Sequence, residues 1–337
     1  MKVWEIAGAF GLGNLKVGSR PDPEPGPREV QLAMRACSLN YRDLLMARGQ
    51  YNPRQPLPLV PLSDGVGEVV AVGPDVERVA VGDRVMPIFA QRWLAGSPGR
   101  TELRSTLGGP LDGTLRERMV CSEESVVRAP EHLTDAQAAA LPCAAVTAWS
   151  AMVTQGAVAA GRTVLVQGTG GVSTFALQLA KLLGARVIAT SSSDAKLERA
   201  RELGADETIN YRATPEWGKA ARALAGGDGV DHVVEVGGAG TLDQSIRAVR
   251  PGGTISLIGV LAGGAAPVNL TPVLMQNVRI QGVLVGHRES FEAMCRAIAH
   301  HRLVPVVDRV FPFGEVREAF DHLASQAHVG KVCIAVS

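Results

Sequence analysis

Apolar residues in the first third of the chain occur in short runs separated by turn-forming residues. Val30–Ala36 and Gly67–Val72 are two such runs, and stretches rich in proline and glycine lie between them. Short β-branched runs bounded by proline and glycine are typical of strands in a small barrel or sandwich. Residues 91–113 are polar and lack periodicity, which predicts a long loop. The N-terminal third is therefore expected to be β-rich.

The hydrophobic pattern changes near Val126, where short apolar runs begin to alternate with segments of helical periodicity. The alternation indicates βαβ units, and right-handed crossovers between parallel strands produce a doubly wound α/β sheet. The predicted strands are 164–167, 187–190, 230–236, 254–260 and 280–285, and the predicted helices are 136–153, 172–183, 193–203 and 242–249. The C-terminal segment adds predicted helices at 291–300 and 316–324 and a closing strand at 332–336.

Composition narrows the class of protein. The chain has 337 residues, of which 46 % are hydrophobic, so it can form full cores and is not disordered as a whole. Its formal net charge is +1 and only 4 % of its residues are aromatic, which argues against a nucleic-acid-binding surface. The five cysteines are far apart and form no C-x-x-C motif, which argues against a disulfide framework or a structural zinc site. The sequence shows neither a signal-peptide pattern nor an unbroken run of about 18 apolar residues, so we expect a cytoplasmic protein with no membrane span.

Residues 164–173, V-L-V-Q-G-T-G-G-V-S, pass from a predicted strand through a glycine-rich turn into a predicted helix. Gly168 permits the tight turn, and Gly170 allows the backbone to approach a pyrophosphate. The free N–H groups at the start of the helix then face the phosphates. Ser173 stands at the third small position of the motif and is compact enough for close packing of helix on strand. In this context the motif predicts a dinucleotide site whose backbone contacts come from Gly168, Thr169, Gly170, Gly171 and Val172.

The end of the next predicted strand bears on which dinucleotide binds. An NAD site would place an acidic residue there, against the ribose 2′-hydroxyl, but residues 189–193 read A-T-S-S-S. Ser191, Ser192, Lys196 and Arg212 suit a 2′-phosphate instead, although Lys196 is explained equally well as a solvated helix lysine. The missing acid predicts NADP(H) in preference to NAD(H).

Several motifs, taken in their order along the chain, resemble the medium-chain dehydrogenase/reductase superfamily, in its zinc-free quinone-oxidoreductase-like and alcohol-dehydrogenase-like branch. Besides the glycine-rich turn they are N-Y-R-D at 40–43, P-L-S-D-G-V-G-E-V at 61–69, V-G-D-R-V at 81–85, L-P-C-A-A-V-T-A-W at 141–149, L-G-A-D at 203–206, N-Y-R at 210–212 and G-K-V at 330–332. The resemblance implies a GroES-like β-rich catalytic domain formed by residues 1–124 and 290–337. A Rossmann domain at 125–289 would be inserted in it, with the active site in the cleft. The strand at 280–285 would leave an apolar edge, so we also expect a homodimer.

The resemblance also implies that the catalytic zinc is absent. Asn40 and Ser63 stand where related alcohol dehydrogenases have a cysteine and a histidine ligand, and Asp64 replaces the glutamate that follows the histidine. Cys143 alone matches a ligand position, and one thiol cannot hold zinc tightly. Residues 86–120 contain no cysteine, so the structural zinc lobe is missing as well. We therefore expect no metal.

Without a Lewis acid, either a carbonyl is polarised by hydrogen bonds alone or the hydride acceptor is itself electrophilic, and the second case is favoured. The sequence thus predicts a zinc-independent, NADPH-dependent reductase of a small-molecule carbonyl, enone or quinone. The catalytic candidates are Asn40, Tyr51 and Asp43. Asn40 would place its amide near the nicotinamide ribose or the substrate oxygen, or is simply a turn residue. Tyr51 would line the pocket, donate a proton or only pack, and Asp43 would orient the Asn40 segment.

Further candidates come from strand ends and from the resemblance. Val236, Gly237, Gly259, Val260 and Leu261 end parallel strands, where doubly wound folds bind ligands. By resemblance, Thr147 would contact the nicotinamide, Tyr211 belongs to the matching N-Y-R motif, and Lys331 would lie near the cofactor. Trp93 would cap the substrate pocket or anchor its loop. Two other functions remain open, a metal-free alcohol dehydrogenase or carbonyl reductase and a non-catalytic NADPH-binding sensor or structural protein.

Overall fold

Two units make up the chain in the computed structural model, which describes residues 1–336. Unit 1 contains Met1–Val146 together with residues 286–336, and unit 2 contains Thr147–Val285. The sequence analysis placed the first boundary at residues 124 and 125. Unit 1 extends further because the helix Asp135–Ala139 packs on its sheet, where the Ser38 hydroxyl donates a hydrogen bond of 2.9 Å to the carbonyl of Ala139.

The elements are numbered in chain order. The strands are β1 (Lys2–Ile6), β2 (Leu15–Ser19), β3 (Glu29–Ser38), β4 (Asp64–Val72), β5 (Arg84–Pro87), β6 (Arg118–Ser122), β7 (Val126–Arg128), β8 (Thr163–Gln167), β9 (Arg186–Ser191), β10 (Glu207–Asn210), β11 (Val230–Glu235), β12 (Val249–Leu257), β13 (Arg279–Gly282), β14 (Val307–Pro312) and β15 (Lys331–Ala335). The α-helices are α1 (Tyr41–Ala47), α2 (Arg100–Leu103), α3 (Asp135–Ala139), α4 (Val146–Trp149), α5 (Gly171–Leu182), α6 (Asp194–Glu202), α7 (Trp217–Leu224), α8 (Leu242–Ala248), α9 (Thr271–Met275), α10 (Arg288–His301) and α11 (Val316–Ala324).

Unit 1 is built on a mostly antiparallel sheet to which both ends of the chain contribute. Its strands run in the order β14-β15-β3-β4-β5-β7, and β6 also pairs with β3. Side chains along β3 alternate between buried and half-buried, as expected for a strand with one face on the core. The buried face includes Val30, Leu32 and Met34. Because β15 pairs with β3, the C-terminal residues lie beside the segment that leads to Asn40.

Unit 2 contains a parallel sheet in the order β10-β9-β8-β11-β12-β13, with every neighbouring pair parallel. Strands β8 and β11 occupy its centre, and Val164, Val166, Val233 and Val234 are buried, as in a sheet covered on both faces. The strand order reverses between β8 and β11. This is the topological switch point at which doubly wound folds bind ligands. The predicted α/β fold class is confirmed.

Several predicted elements differ in length or regularity from the corresponding elements of the structure. Residues 91–113 are not wholly irregular, because they contain α2. The predicted helix at 136–153 is interrupted by π-helical turns at Leu141–Ala145 and Ser150–Thr154, the first of which contains Pro142, a residue without a backbone N–H. The predicted strand at 280–285 is only Arg279–Gly282, since Val285 takes a φ of +46° and turns the chain.

Some short elements of the structure, among them β10 and α7, were not predicted. Within residues 1–336, no helix combines the length and the apolar character needed to cross a bilayer.

Candidate functional site

The glycine-rich turn in unit 2 connects β8 to α5. Gly168 has a φ of +72°, a conformation that favours glycine, and Gly170 is the N-cap residue of α5. A Cβ atom built on Gly168 or Gly170 would meet no atom within 4 Å. The backbone therefore borders open space on this side, where the N–H groups at the start of α5 can receive an anion.

Ser173 ties the start of α5 to the end of β8. Its hydroxyl donates a hydrogen bond of 2.6 Å to the carbonyl of Gln167, and the residue is buried. Ser173 therefore does more than fit a position that requires a small residue, because its hydroxyl group stabilises the turn that contains Gly168 and Gly170.

A buried polar cluster at the ends of β8 and β11 was not predicted. The Glu235 carboxylate is fully buried, and its Oε1 accepts from the backbone N–H of Gly237 at 2.8 Å, the N–H of Gly238 at 3.0 Å and the Thr241 hydroxyl at 2.6 Å. Its Oε2 accepts from Gln167 Nε2 at 2.6 Å and from the Ser245 hydroxyl. These donors satisfy the buried carboxylate and fix the loop that follows β11. The available signal was an acidic residue at the end of an apolar strand, one residue before two glycines.

The loops after β11 and β12 are joined by backbone hydrogen bonds. Ala262 N–H donates to the Gly237 carbonyl at 2.7 Å, and Leu261 N–H donates to the Val236 carbonyl at 3.2 Å. Val260 and Leu261 expose their side chains beside this junction. The structure therefore brings the predicted residues Val236, Gly237, Gly259, Val260 and Leu261 together at the carboxyl edge of the sheet, the same edge as the glycine-rich turn.

The ends of β9 and β10 gather the groups predicted to select the cofactor. Tyr211 N–H donates a hydrogen bond of 3.0 Å to the Ser191 carbonyl, which places the N-Y-R motif beside the serine run. Ser192 is half-buried, Arg212 is exposed, and Lys196 lies in the first turns of α6. The Asp194 carboxylate accepts from Asn210 Nδ2 at 2.7 Å. Asp194 is thereby engaged in holding β10 against the start of α6.

In unit 1, a buried lysine contacts Asn40, which stands at an expected zinc-ligand position, and the nearby Asp64. Lys331 Nζ donates hydrogen bonds to the Leu39 carbonyl at 2.8 Å and to Asn40 Oδ1 at 2.6 Å, and it lies 3.4 Å from Asp64 Oδ2. Asn40 Nδ2 lies 3.4 Å from the Ser63 hydroxyl, which donates to Asp64 Oδ1 at 2.9 Å. Lys331, Ser63 and Asp64 are buried, and Asn40 is half-buried.

The other two catalytic candidates extend this cluster towards the surface of unit 1. Asp43 Oδ2 accepts from the backbone N–H of Asn40 at 2.8 Å, as the sequence analysis expected for an orienting residue. Burial, partly offset by the Arg42 guanidinium, raises the pKa of Asp43 to about 6. The Arg42 guanidinium also lies 4.9 Å from the centre of the Tyr51 ring. Tyr51 is 46 % exposed and so presents its phenol to solvent.

Trp93 and Thr147 are both buried. Trp93 Nε1 donates to the Gly96 carbonyl at 2.8 Å, and its ring lies 5.9 Å from that of His287. This is the geometry of a loop anchor, and contact between Trp93 and substrate stays a prediction. A contact between Thr147 and the nicotinamide stays one as well.

The side chains at the expected zinc-ligand positions do not fit zinc. They offer an amide, a hydroxyl and one thiol, and the Lys331 ammonium is already bound to the amide and lies 3.4 Å from the neighbouring Asp64 carboxylate. Burial and the nearby Asp64 carboxylate raise the pKa of the Cys143 thiol, which disfavours the thiolate that would bind a metal. Among residues 1–336, no three or more His, Cys, Asp or Glu side chains are grouped so that they could hold a metal ion.

Two family profiles match the sequence. The alcohol dehydrogenase GroES-like domain matches residues 26–131, and the zinc-binding dehydrogenase domain matches residues 171–300. A zinc-type alcohol dehydrogenase-like protein of Schizosaccharomyces pombe is 45 % identical over 97 % of this chain and 96 % of its own length. The chain belongs to the medium-chain dehydrogenase/reductase superfamily. A bovine quinone oxidoreductase-like protein 2 is 28 % identical over 92 % of this chain and 86 % of its own.

Solved structures agree with this assignment to the medium-chain dehydrogenase/reductase superfamily. A protein from Sinorhizobium meliloti assigned to the alcohol dehydrogenases superposes with a TM-score of 0.94 at 43 % identity, covering 99 % of this chain and 98 % of its own. An NAD-dependent alcohol dehydrogenase gives a TM-score of 0.92 at 36 % identity, and a mycobacterial protein solved with NADPH gives 0.83 at 27 %, each covering 100 % of both chains. The chain is thus an NAD(P)H-dependent oxidoreductase with a nicotinamide cofactor.

Proposed function

We propose that the protein is a zinc-independent, NADPH-dependent reductase of quinones or α,β-unsaturated carbonyls. The observation that carries this proposal is the Lys331 ammonium, held 2.6 Å from Oδ1 of Asn40, which stands at a zinc-ligand position, and 3.4 Å from Asp64 Oδ2. An ammonium group that is hydrogen-bonded in this way does not coordinate and activate an alcohol oxygen as a zinc ion does. The acceptor must then be one that takes a hydride without a Lewis acid.

The residues of unit 1 supply the polar groups for such a reduction. When bound, NADPH would supply the hydride for an electrophilic carbon of the acceptor, whose oxygen would gain the electron pair. The Asn40 amide donates a hydrogen bond to that oxygen and so stabilises the developing charge. Asp43 holds the backbone of Asn40 through the 2.8 Å bond. The exposed Tyr51 phenol is the side chain of this group that can pass on a proton, which with the hydride completes the addition of two hydrogens.

We assign the cofactor as NADP(H), bound at the carboxyl edge of the unit 2 sheet. Backbone groups of Gly168, Thr169, Gly170, Gly171 and Val172 would contact the pyrophosphate. Ser191, Ser192, Lys196, Tyr211 and Arg212 would surround the 2′-phosphate, since they gather at the ends of β9 and β10 and the Asp194 carboxylate there is bonded to Asn210. Thr147, Val236, Gly237, Gly259, Val260 and Leu261 would face the nicotinamide half.

A homodimer through unit 2 is part of the same proposal. Strand β13 is the edge of the sheet, and the neighbouring helix α9 exposes Leu274 and Met275 at 79 % and 76 %. An unpaired strand edge beside exposed apolar side chains favours pairing with a second copy.

The second candidate function is a metal-free alcohol dehydrogenase or carbonyl reductase, which is favoured by the alcohol dehydrogenases among the similar structures. A panel assay separates the two. NADPH oxidation is measured with ortho-quinones, enones, aldehydes and ketones, and NADP⁺ reduction with primary and secondary alcohols, each with and without a chelator. We expect the quinones or enones to give the highest kcat/KM, unchanged by chelator. Chelator-resistant turnover confined to alcohols and ketones would favour the alternative, and tight NADPH binding without any turnover would indicate a sensor.

A further inference from the structure

We propose that Lys331 is a positioning residue that sets the orientation of the Asn40 amide and thereby makes its NH₂ group the donor to the substrate oxygen. This inference rests on the proposed function, because it assigns the means by which that site works without a metal ion.

The hydrogen bonds of Lys331 occupy all three N–H donors of its ammonium. They point to the Leu39 carbonyl at 2.8 Å, to Asn40 Oδ1 at 2.6 Å and, more weakly, to Asp64 Oδ2 at 3.4 Å. An ammonium has no acceptor, so only the amide oxygen of Asn40 can face it. The reversed amide would place NH₂ against NH₃⁺ within the same short distance. Lys331 therefore selects one of the two flips of the Asn40 side chain.

Burial increases the free-energy difference between the two orientations of the Asn40 amide. Lys331 and Asp64 are 2 % and 0 % exposed at their side chains, so the interaction is little screened by solvent. Asp64 compensates the buried charge, and it is itself held by the hydroxyls of Ser63 at 2.9 Å and Ser38 at 3.3 Å. Rotation of the amide would cost a charge-assisted hydrogen bond in a water-poor environment.

The selected orientation has a chemical consequence for Asn40. With Oδ1 bonded to a cation, electron density in the amide shifts towards oxygen, and the Nδ2–H bonds become better donors. Nδ2 makes only a long contact of 3.4 Å with the Ser63 hydroxyl, so donor capacity remains. The fixed charge of Lys331 thus acts on the substrate oxygen through the amide, in the role that a metal ion has in zinc enzymes of the superfamily.

The test uses a double variant that removes both buried charges together, Lys331→Met with Asp64→Asn, so that no unpaired buried ion is left. Asn40→Asp is the companion variant, because it keeps an acceptor for Lys331 but removes the NH₂ donor. The matched control is Lys219→Met with Glu216→Gln, an exposed pair at 2.7 Å on unit 2. For each protein we would measure the rate of hydride transfer in a single turnover and the Kd for NADPH by fluorescence. In the proteins that retain Asn40, its side-chain NH₂ resonances would be measured by NMR.

We expect the Kd of the double variant for NADPH to stay within about threefold of the wild-type value. The rate of hydride transfer should fall by about 10- to 100-fold, which is the range for loss of a charge-assisted hydrogen bond. Asn40→Asp should slow transfer at least as much, and the Asn40 resonances should move in the double variant only. Unchanged transfer in the double variant would overturn the proposal. So would a loss confined to NADPH affinity, since Lys331 would then be a cofactor ligand. If the wild-type protein reduces no acceptor, the proposed function fails, and unmoved Asn40 resonances would then refute the positioning role on their own.

Discussion

Gln167 Nε2 lies 2.6 Å from Glu235 Oε2, which joins the ends of two adjacent parallel strands, β8 and β11, by a fully buried side-chain hydrogen bond. The two strands flank the point at which the strand order of unit 2 reverses. Gln167 Oε1 also accepts from the backbone N–H of Gly237 at 3.3 Å. The hydrogen bond between Gln167 and Glu235 therefore links the turn at Gly168 to the loop at Gly237.

Replacement of Glu235 by glutamine should destabilise unit 2. The new NH₂ group would face donors that now bond to a carboxylate oxygen, and at least one buried donor would be left without a partner. We expect the free energy of unfolding in urea to fall by about 2–3 kcal/mol. The control is Glu207→Gln, which breaks the half-exposed pair with Arg186 and should cost less than about 1 kcal/mol. Equal losses in the two variants would show that the buried cluster does not hold the strand ends.

Removal of the Lys196 charge should discriminate between the two cofactors. If Lys196 binds the 2′-phosphate, Lys196→Ala should raise the KM for NADPH about 10-fold and leave the KM for NADH nearly unchanged, because NADH lacks that phosphate. Steady-state kinetics with a saturating acceptor would measure both. Lys219→Ala, on the exposed face of α7, serves as the control. A similar change with both cofactors would remove Lys196 from the 2′-phosphate site.

The stability of unit 2 should depend on His232. The residue is buried, its Nε2 lies 3.1 Å from the Ser256 hydroxyl, and its Nδ1 has no hydrogen-bond partner among residues 1–336. Burial, with a smaller effect of Arg279, lowers the pKa of His232 to about 4 from an ordinary value of 6.5. Because the unfolded chain binds the proton more readily, this contribution is present above about pH 6.5 and is lost as the pH falls towards 4.

Urea unfolding of the wild-type protein between pH 7 and pH 4 should therefore show a loss of up to about 3 kcal/mol from this residue. In the His232→Gln variant, the contribution of this residue to the pH dependence of the free energy of unfolding should vanish, whatever the stability of the variant at pH 7. The exposed substitution His300→Gln should leave the profile as it is. A His232→Gln profile parallel to that of the wild-type protein would contradict the assignment.

Leu274→Asp should disrupt the proposed dimer without affecting the fold. The side chain is 79 % exposed in the single chain, so a charge there costs no core packing, but it would lie in the surface that we propose pairs with a second copy. Light scattering coupled to size-exclusion chromatography should give a dimer for the wild-type protein and a monomer for the variant. Val81→Asp, at a 61 % exposed position of unit 1, should remain dimeric. A monomeric wild-type protein would refute the dimer.

The elements around the cofactor site could be predicted where a local signal defines them. The expected strand at 164–167 is β8 (Thr163–Gln167), and the expected helix at 172–183 is α5 (Gly171–Leu182), because an apolar run, two glycines and a helical period mark their limits. The strand expected at 280–285 ends at Gly282, and the apolar residues 283–285 that follow do not reveal the positive φ of Val285.

The polar networks of the candidate site could not be predicted in the same way. Gln167 and Glu235 are 68 positions apart, and Asn40 and Lys331 are 291 apart. No periodicity of a single segment carries information about such pairs, which arise from the order of strands in a sheet. The resemblance to a known family indicated that Asn40, Ser63 and Cys143 stand at ligand positions. It also placed Lys331 near the cofactor, which stays a prediction, but it did not reveal the hydrogen bond between Lys331 and Asn40.

The most direct test of the account is to follow the hydride itself in protein stripped of metal. The chelator-treated enzyme, shown by elemental analysis to contain no zinc, is mixed with NADPH carrying deuterium at the transferred C4 position and with an enone or quinone from the panel. We predict that mass spectrometry finds the deuterium in the reduced product, at the same rate as for untreated protein. Transfer that stops on removal of metal and returns with stoichiometric zinc would contradict the central claim that this site works without a metal ion.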